Sequence, residues 1–421
     1  MNSALQKRIE KARKLIDEHD YFRILTHYDA DGICSAGIVA RYLLTKGKRF
    51  HVSFFRNVEK TKILKILKNE ENAIITDMGS SFVDEIKGNI IVIDHHKTSR
   101  DNDEVVHINP HLFGYDGATD ACASTLAYYL VDDPTLASYA LAGIFGDKQY
   151  LNGFKGLNQE LIKKLSLKVE RRLVLYGNIL DAIVYSTEPF FPGLSGRREN
   201  VEKLLESLKI PSSKDVESLT DEEKIKIGSY LSLNLIKESR APSAGRYIVD
   251  VDINLGGSIR YLTELIDSAA RTDNQSIALS YILGEDAAFE KMELLRKEYK
   301  SKVIKAIYKI LENHFENNHL IYFFVEDSYL TSTVATIASL YLFSPDNVVI
   351  SLYRDKMLHI SARCSQKIGK KIHLGDILRE ISQSLGGFGG GHSVAAGATV
   401  PVDKEREFLS LVERRIEKSL S

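Results

Sequence analysis

Histidine and aspartate residues form four groups in the first part of the sequence, and each group follows an apolar run. The residues are His27, Asp29, Asp31, Asp77, Asp94, His95, His96 and Asp147. Carboxylate oxygens and imidazole nitrogens are common protein ligands of Mn²⁺, Mg²⁺ and Zn²⁺. The set exceeds what one ion needs, so it predicts two divalent metal ions. Such a pair can activate water and neutralise charge on a phosphoryl group, which indicates phosphoester hydrolysis.

Short apolar strands are the elements that would bring these groups together. Between residues 22 and 147, apolar runs alternate with helix-like segments, a rhythm typical of βαβ units and a parallel sheet. In such a sheet, ligands bind beyond the carboxyl ends of the strands. Asp29 and Asp31 are spaced so that an extended turn can direct both carboxylates to one cluster, and Gly32 lets the backbone turn into the next helix. Asp77 is the candidate for a carboxylate shared by the two ions.

The acidic residues also have a purely structural interpretation. Asp77 could cap the segment that follows it, and Asp147 could belong to the C-terminal turn of a helix. The triplet of Asp94, His95 and His96 argues against caps alone, because three adjacent polar groups at the end of a buried strand are costly to desolvate without partners or metal.

A glycine-rich stretch near the other end of the chain could bind an anion. Residues 386–391 read Gly-Gly-Phe-Gly-Gly-Gly and precede His392 and Ser393. Backbone N–H groups of such a stretch can surround a phosphate, and the guanidinium of Arg363 offers a fixed positive charge. Phe388 could stack on a nucleic-acid base. The alternative is that the glycines form only a flexible turn.

The length of the chain, 421 residues, predicts at least two domains. We place a metal-binding α/β domain at residues 1–200, a helical connector at 201–315 and a smaller α/β domain at 316–421. Within the connector, the charged residues 209–246 are either an inserted subdomain that docks a partner or a solvated helical hairpin. A long helix is expected to begin at Ala287 and to end near His314.

The composition narrows the class of protein. The charges of the 56 basic and 57 acidic residues nearly cancel, so the chain has no overall positive field that would indicate binding to nucleic acid or membrane. An anionic substrate must therefore be bound by a local group of basic residues or metal. The three cysteines form no CxxC pair, which argues against zinc fingers, iron–sulfur clusters and disulfides. We expect a cytoplasmic protein without a membrane partner, because the chain has no signal-peptide pattern and no apolar run of about 20 residues.

The motifs, in this order, resemble those of the DHH phosphoesterases, and most closely the RecJ-like single-strand exonucleases of archaeal type. The resemblance rests on residues 27–32, 77, 94–96 and 146–147, and on residues 390–392 and 395–397, which resemble the C-terminal DHH-associated domain. It implies an α/β fold with an N-terminal parallel-sheet DHH domain, a helical connector and a smaller C-terminal α/β domain. It also places the active site in the cleft between the two α/β domains.

The resemblance implies a role for each group of residues. The ligands of one ion would be His27, Asp29 and Asp77, and those of the other Asp31, Asp77, His95 and Asp147. His96 would contact the scissile phosphate or the leaving oxygen, and Asp94 would orient an imidazole through its N–H. Substrate contacts are expected from Arg271, Arg363, Phe388, Gly390, Gly391, His392 and Ser393. Imidazole ligands make Mn²⁺ easier to retain than Mg²⁺, so Mn²⁺ is favoured, with Mg²⁺ as the alternative.

The implied activity is metal-dependent exonucleolytic hydrolysis of single-stranded DNA or RNA to mononucleotides, in DNA replication or repair. Digestion from the 5′ end is the default of RecJ-like enzymes, and digestion from the 3′ end is the alternative. Protein partners would then be replication or repair proteins such as GINS or a helicase. Two other functions stay open: a phosphodiesterase of short oligoribonucleotides or cyclic dinucleotides, and a replisome interaction subunit.

Overall fold

The computed structural model describes residues 2–239 and 247–420, which form two compact units. The first unit comprises Met1–Arg171 and Val251–Arg296, and the second comprises Arg172–Asp250 and Lys297–Ser421. The domain limits expected at residues 200 and 315 stay a prediction. In the structure, residues 251–296 of the expected connector group with the first unit, and its remaining residues group with the second.

Strands and helices alternate along most of the described chain. The strands are β1 (Tyr21–His27), β2 (Arg49–Phe55), β3 (Asn72–Thr76), β4 (Asn89–Ile93), β5 (Val106–Ile108), β6 (Val169–Leu173), β7 (Val249–Ile253), β8 (Phe315–Asn317), β9 (Leu320–Phe324), β10 (Val348–Arg354), β11 (Met357–Arg363), β12 (Phe388–Gly391) and β13 (Ala395–Pro401). The helices are α1 (Ser3–Glu18), α2 (Ala30–Thr45), α3 (Lys60–Leu67), α4 (Ala123–Val131), α5 (Ala137–Gly146), α6 (Gly156–Lys164), α7 (Ile179–Val184), α8 (Arg198–Ser207), α9 (Asp221–Glu238), α10 (Ile259–Arg271), α11 (Gln275–Ile282), α12 (Ala287–Glu312), α13 (Thr331–Ile337), α14 (Gln366–Gly369), α15 (Leu374–Ser384) and α16 (Glu405–Leu420).

A parallel five-stranded sheet with the order β2-β1-β3-β4-β5 forms the centre of the first unit. Strands β3 and β4 are apolar and largely buried, because both faces of the sheet are covered. The chain runs from β1 to β2 on one side and then to β3 on the other, so the strand order reverses at β1. Such a reversal leaves a crevice at the carboxyl ends of the strands. β1 ends at His27 at this edge, and β3 and β4 end directly before Asp77 and Asp94.

Helices α10 and α11 belong to the first unit because they pack on α2 and α5. Ile266 and Ile282 share a buried cluster with Ile33 and Ala142. A Cβ atom on Gly37 of α2 would lie only 2.6 Å from the Ile282 side chain, so the small residue permits this close packing. The apolar residues of α10 and α11 are therefore part of the first unit's core.

The second unit contains a mixed six-stranded sheet with the order β12-β13-β11-β10-β9-β8. Strands β9 and β10 pair in parallel, whereas the other neighbours are antiparallel. One buried cluster joins the sheet to α15 and α16, and another joins it to α13 and to the helices between residues 179 and 238. The sheet thus separates two apolar cores.

The charged segment 209–246 contains α9, which begins with a reciprocal capping box between Thr220 and Glu223. Its other predicted edge, at residues 242–245, lies outside the described residues. The long helix predicted after Ala287 is α12. Among the described residues, no helix combines the length and the apolar character that a membrane crossing requires.

Candidate metal centre

The turn from β1 into α2 positions His27 and Asp29. Asp29 is the N-cap of α2, and its carboxylate accepts a hydrogen bond from the Gly32 N–H (3.1 Å). His27 Nδ1 lies 2.9 Å from Asp29 Oδ2. A Cβ atom on Gly32 would lie 2.2 Å from the carbonyl oxygen of His27, so this turn requires glycine. Sequence and local geometry therefore place an imidazole and a carboxylate side by side.

Asp77 lies between two imidazoles. It follows β3 in the left-handed region, with φ of 57°, and is 2% exposed. Its Oδ2 is 3.3 Å from His27 Nδ1, and its Oδ1 is 3.2 Å from His95 Nε2. The two oxygens of one carboxylate thus face two different groups of potential ligands.

His95 is held with one nitrogen free to bind a metal. Its Nδ1 is 2.6 Å from the carbonyl oxygen of Gly117, which accepts a hydrogen bond and so fixes the proton on Nδ1. Its Nε2 lies 3.2 Å from Asp147 Oδ2 and 3.9 Å from Asp31 Oδ2. The sequence alone did not indicate Gly117, although a Cβ there would lie 1.8 Å from the His95 carbonyl oxygen.

Asp31 is fully buried and is oriented by the N-terminus of α4. Its two oxygens accept hydrogen bonds from the backbone N–H groups of Ala123 (2.7 Å) and Ser124 (2.9 Å). A Cβ atom on Gly143 of α5 would lie 2.4 Å from Asp31 Oδ1. Two helices outside the first motif therefore determine where this carboxylate lies.

Asp147 follows a helix rather than a strand. Residues 141–146, one of the apolar runs of the sequence, form the end of α5, and Asp147 is its C-cap. The structural interpretation of its backbone is thus correct, yet its side chain reaches the same cluster as His95. Asp147 is therefore both a helix cap and a member of the cluster.

Asp94 orients His96. The buried Asp94 carboxylate accepts hydrogen bonds from the Ser80 N–H (2.9 Å), from the His96 N–H (3.1 Å) and from His96 Nδ1 (2.8 Å). The His96 side chain is 60% exposed. With Nδ1 engaged by the carboxylate, Nε2 is the nitrogen left for an external partner.

The site concentrates negative charge out of water. Burial and the charge of Asp29 raise the pKa of Asp77 to about 6, and burial raises the pKa of Asp147 well above its usual value. Burial acts to lower the pKa of His27, but the adjacent carboxylates of Asp29 and Asp77 raise it to about 11. The hydrogen bond to Asp94 raises the pKa of His96. Without another cation, protons on these groups offset the carboxylate charge.

The donor set fits divalent metal ions. Ligand atoms within 4.8 Å of one another form three groups: His27 with Asp29 and Asp77; Asp77 with His95 and His96; and Asp31 with Cys122 and Asp147. Among the described residues, the buried atoms His27 Nδ1 and Asp147 Oδ2 have no aligned hydrogen-bond partner. Cys122 was not predicted as a neighbour of the site. Burial raises the pKa of its thiol well above the usual value.

All of the predicted substrate residues except Arg271 lie in the second unit, and two of them, Phe388 and Gly390, line a groove of about 400 Å³. Ser332, Ser361 and Gly397 also line the groove, and Phe388 is 67% exposed. Much of the lining therefore consists of glycine and serine residues, whose small side chains leave space beside the sheet.

The other predicted substrate residues lie in three different places. Arg363 ends β11 and donates hydrogen bonds to Ser332 Oγ (2.7 Å) and Thr336 Oγ1 (3.1 Å), so it borders the groove through Ser332. Gly391, His392 and Ser393 lie at the turn from β12 to β13. Arg271 lies instead in the first unit, at the end of α10, and pairs with Asp267 (2.6 Å).

Comparison with known proteins identifies the family. The N-terminal domain of the DHH family matches residues 22–151, and the DHHA1 domain matches residues 317–418. The chain belongs to the DHH family. An uncharacterized protein of Methanocaldococcus jannaschii is 29% identical to this DHH protein, and the alignment covers 98% of each chain.

Solved structures share the fold of this DHH protein. RecJ in complex with Mn²⁺ from Thermus thermophilus is 16% identical with a TM-score of 0.61, and the match covers 99% of this chain and 55% of RecJ. The chain therefore spans about half the length of that RecJ. CDC45 from Entamoeba histolytica is 12% identical with a TM-score of 0.62 and is matched over 99% of both chains. The predicted family and RecJ-like α/β fold are confirmed.

Proposed function

We propose that this DHH protein is a two-metal exonuclease that hydrolyses single-stranded DNA or RNA to mononucleotides, in DNA replication or repair and with 5′-to-3′ polarity favoured. The observation that carries the proposal is the carboxylate of Asp77, whose oxygens face His27 and His95. A shared carboxylate between two ligand groups is the arrangement that a pair of divalent ions needs. RecJ structures of the same fold contain Mn²⁺ or Mg²⁺, and Mn²⁺ is favoured here.

His27, Asp29 and Asp77 would hold one ion, and Asp31, Asp77, His95 and Asp147 the other. The bound pair would supply an activated water and neutralise charge on the phosphate. His96 would present Nε2 to the scissile phosphate or the leaving oxygen, because Asp94 holds Nδ1. Its raised pKa keeps a proton available for that contact. Asp94 keeps the ring orientation fixed.

The groove of the second unit supports a nucleotide as substrate. Phe388 exposes a flat ring at the edge of the groove, and bases of any sequence can stack on such a ring. Arg363, His392, Ser393 and the backbone of Gly390 and Gly391 would hold phosphates nearby. Arg271 is proposed to contact the strand from the first unit.

Hydrolysis of short oligoribonucleotides or cyclic dinucleotides is the second candidate, and the limited volume of the groove, about 400 Å³, favours it. The possibility of a replisome interaction subunit with partners such as GINS or a helicase rests on α9. This helix exposes Ile225, Leu233 and Ile236, which are 69%, 53% and 51% exposed.

Digestion of 5′-labelled and 3′-labelled single-stranded DNA and RNA, beside a dinucleotide, with and without Mn²⁺ tests the proposal. Stepwise loss from one end of long strands, dependent on Mn²⁺, supports an exonuclease and gives its polarity. Hydrolysis of the dinucleotide alone assigns the second candidate, and the absence of any hydrolysis with Mn²⁺ contradicts both enzymatic functions.

A further inference from the structure

A buried chain of hydrogen bonds runs from the surface of the first unit to the Asp94-His95-His96 motif, and His107 lies at its centre. His107 is in β5 and is fully buried. Its Nε2 is 2.9 Å from Ser80 Oγ, and its Nδ1 is 3.3 Å from Asp101 Oδ1. Asp101 is held in turn by Arg8 of α1 (3.0 Å). Nothing in the proposed hydrolysis requires an imidazole at this position.

The direction of each hydrogen bond follows from its partners. Asp101 can only accept as a carboxylate, so His107 Nδ1 carries the proton. Ser80 Oγ already accepts from Asn109 Nδ2 (2.9 Å), which leaves its hydroxyl proton for His107 Nε2. Burial lowers the pKa of His107, which keeps the ring neutral. All donors and acceptors of the chain are then matched in one arrangement.

The hydrogen-bond chain reaches His96 at two points, its ring and its backbone carbonyl. The Ser80 N–H donates to Asp94 Oδ2, and Asp94 Oδ1 holds the His96 ring. Asn109 Nδ2 also donates to the His96 carbonyl oxygen (3.0 Å). Ser80 is therefore the point through which His107 can fix both the ring and the backbone of His96.

We propose that His107 is a positioning residue, which orients His96 through Ser80, Asp94 and Asn109 without touching substrate or metal. The proposal rests on the proposed phosphodiester hydrolysis. Outer residues of this kind typically change activity about 10- to 100-fold when they are lost. Since no ligand of either ion is displaced, the loss falls on turnover rather than on substrate or metal binding.

The kinetic test compares His107→Phe, Ser80→Ala and the double variant in the full-length protein with Mn²⁺ and labelled single-stranded DNA. Each single change is expected to lower kcat about 10- to 100-fold and to leave KM and Mn²⁺ affinity within about twofold. The double variant is expected to be no worse than the more severe single variant, because both interrupt one chain. Multiplying losses, or a change confined to KM, would overturn the proposal.

Two variants separate positioning from general loss of structure. His107→Gln keeps a side-chain acceptor near Ser80 and is expected to recover part of the kcat that His107→Phe loses. Ser351→Ala removes a buried hydroxyl of the second unit that has no hydrogen-bond partner among the described residues, and is expected to leave kcat unchanged. If His107→Gln is as impaired as His107→Phe in kcat, the proposal is wrong.

A measurement independent of activity is the tautomer of His107, read from ¹⁵N chemical shifts of its ring in the metal-free protein. Protonation of Nδ1 alone is expected, and protonation of Nε2 would overturn the proposed chain. If the unaltered protein hydrolyses no phosphodiester, the proposed function fails, while the tautomer still decides whether the chain exists.

Discussion

Asp77 shows how one side chain can serve two groups of ligands. Its left-handed backbone is a conformation that aspartate adopts more readily than most residues. The turn directs both oxygens across the strand ends, towards His27 and His95. The sequence offered Asp77, which directly follows an apolar run, as the candidate for a shared carboxylate. It could not indicate the backbone conformation, which depends on contacts with residues distant in sequence.

Replacing Asp77 with asparagine removes the charge of the side chain but keeps its volume, and asparagine also tolerates the left-handed backbone conformation. We expect Asp77→Asn to lower phosphodiester hydrolysis by at least about 100-fold and to reduce Mn²⁺ binding, because one charge facing two imidazoles is lost. Hydrolysis rates and calorimetric titration with Mn²⁺ check this. Asp132→Asn is the matched control, since Asp132 also has a left-handed φ, 58°, but caps α4 away from the ligand groups. Wild-type Mn²⁺ stoichiometry in Asp77→Asn would contradict the shared role.

At the scale of elements, the parts of the site that lie on strands were the most predictable. The apolar runs of β1, β3 and β4 have clear ends, and polar residues follow each end directly. The support from helices was not predictable. The anchoring of Asp31 on the N-terminus of α4 joins residues that lie far apart in sequence, and the packing of α10 and α11 on α2 depends on tertiary contacts.

The crossing of α5 beside Asp31 gives a test of this helical support. Gly143→Ala would place a Cβ atom 2.0 Å from Ser124 Oγ and 2.4 Å from Asp31 Oδ1, so the carboxylate must move. We expect hydrolysis to fall about tenfold or more, with weaker Mn²⁺ binding. Gly228→Ala in α9 is the control, because its Cβ would meet only the flexible Leu173 side chain at 3.1 Å. Equal activities of the two variants would show that Asp31 tolerates displacement.

At the scale of the whole molecule, the pKa shifts of the candidate ligand groups make the stability of the protein depend on pH. The folded-state pKa of His27 is raised from 6.5 to about 11, so the folded protein binds this proton more tightly than the unfolded chain. The resulting stabilisation is fully present below 6.5 and is lost as pH rises through about 11. Asp77, whose pKa is raised from 3.8 to about 6, contributes with the same sign at lower pH.

We therefore expect the melting temperature of the protein in EDTA to fall between about pH 7 and about pH 9. Saturating Mn²⁺ should reverse most of this fall, because bound cations replace the protons. Calorimetric melting at both pH values, with EDTA and with Mn²⁺, checks the expectation. His27→Gln should reduce the pH dependence in EDTA. An unaltered slope in that variant would assign the dependence to other groups.

The first unit is built from two separate stretches of the chain, and this affects how it folds during translation. The buried cluster that joins Ile33 and Ala142 to Ile266 and Ile282 needs residues from both stretches of chain. A nascent chain that has reached Arg171 still lacks α10 and α11. The apolar surface of α2 that these helices cover therefore stays exposed while residues 172–250 are translated. At the usual rates of synthesis this delay is on the order of ten seconds. Translation speed across residues 172–296 is therefore expected to influence how much of the protein avoids aggregation before the first unit is complete.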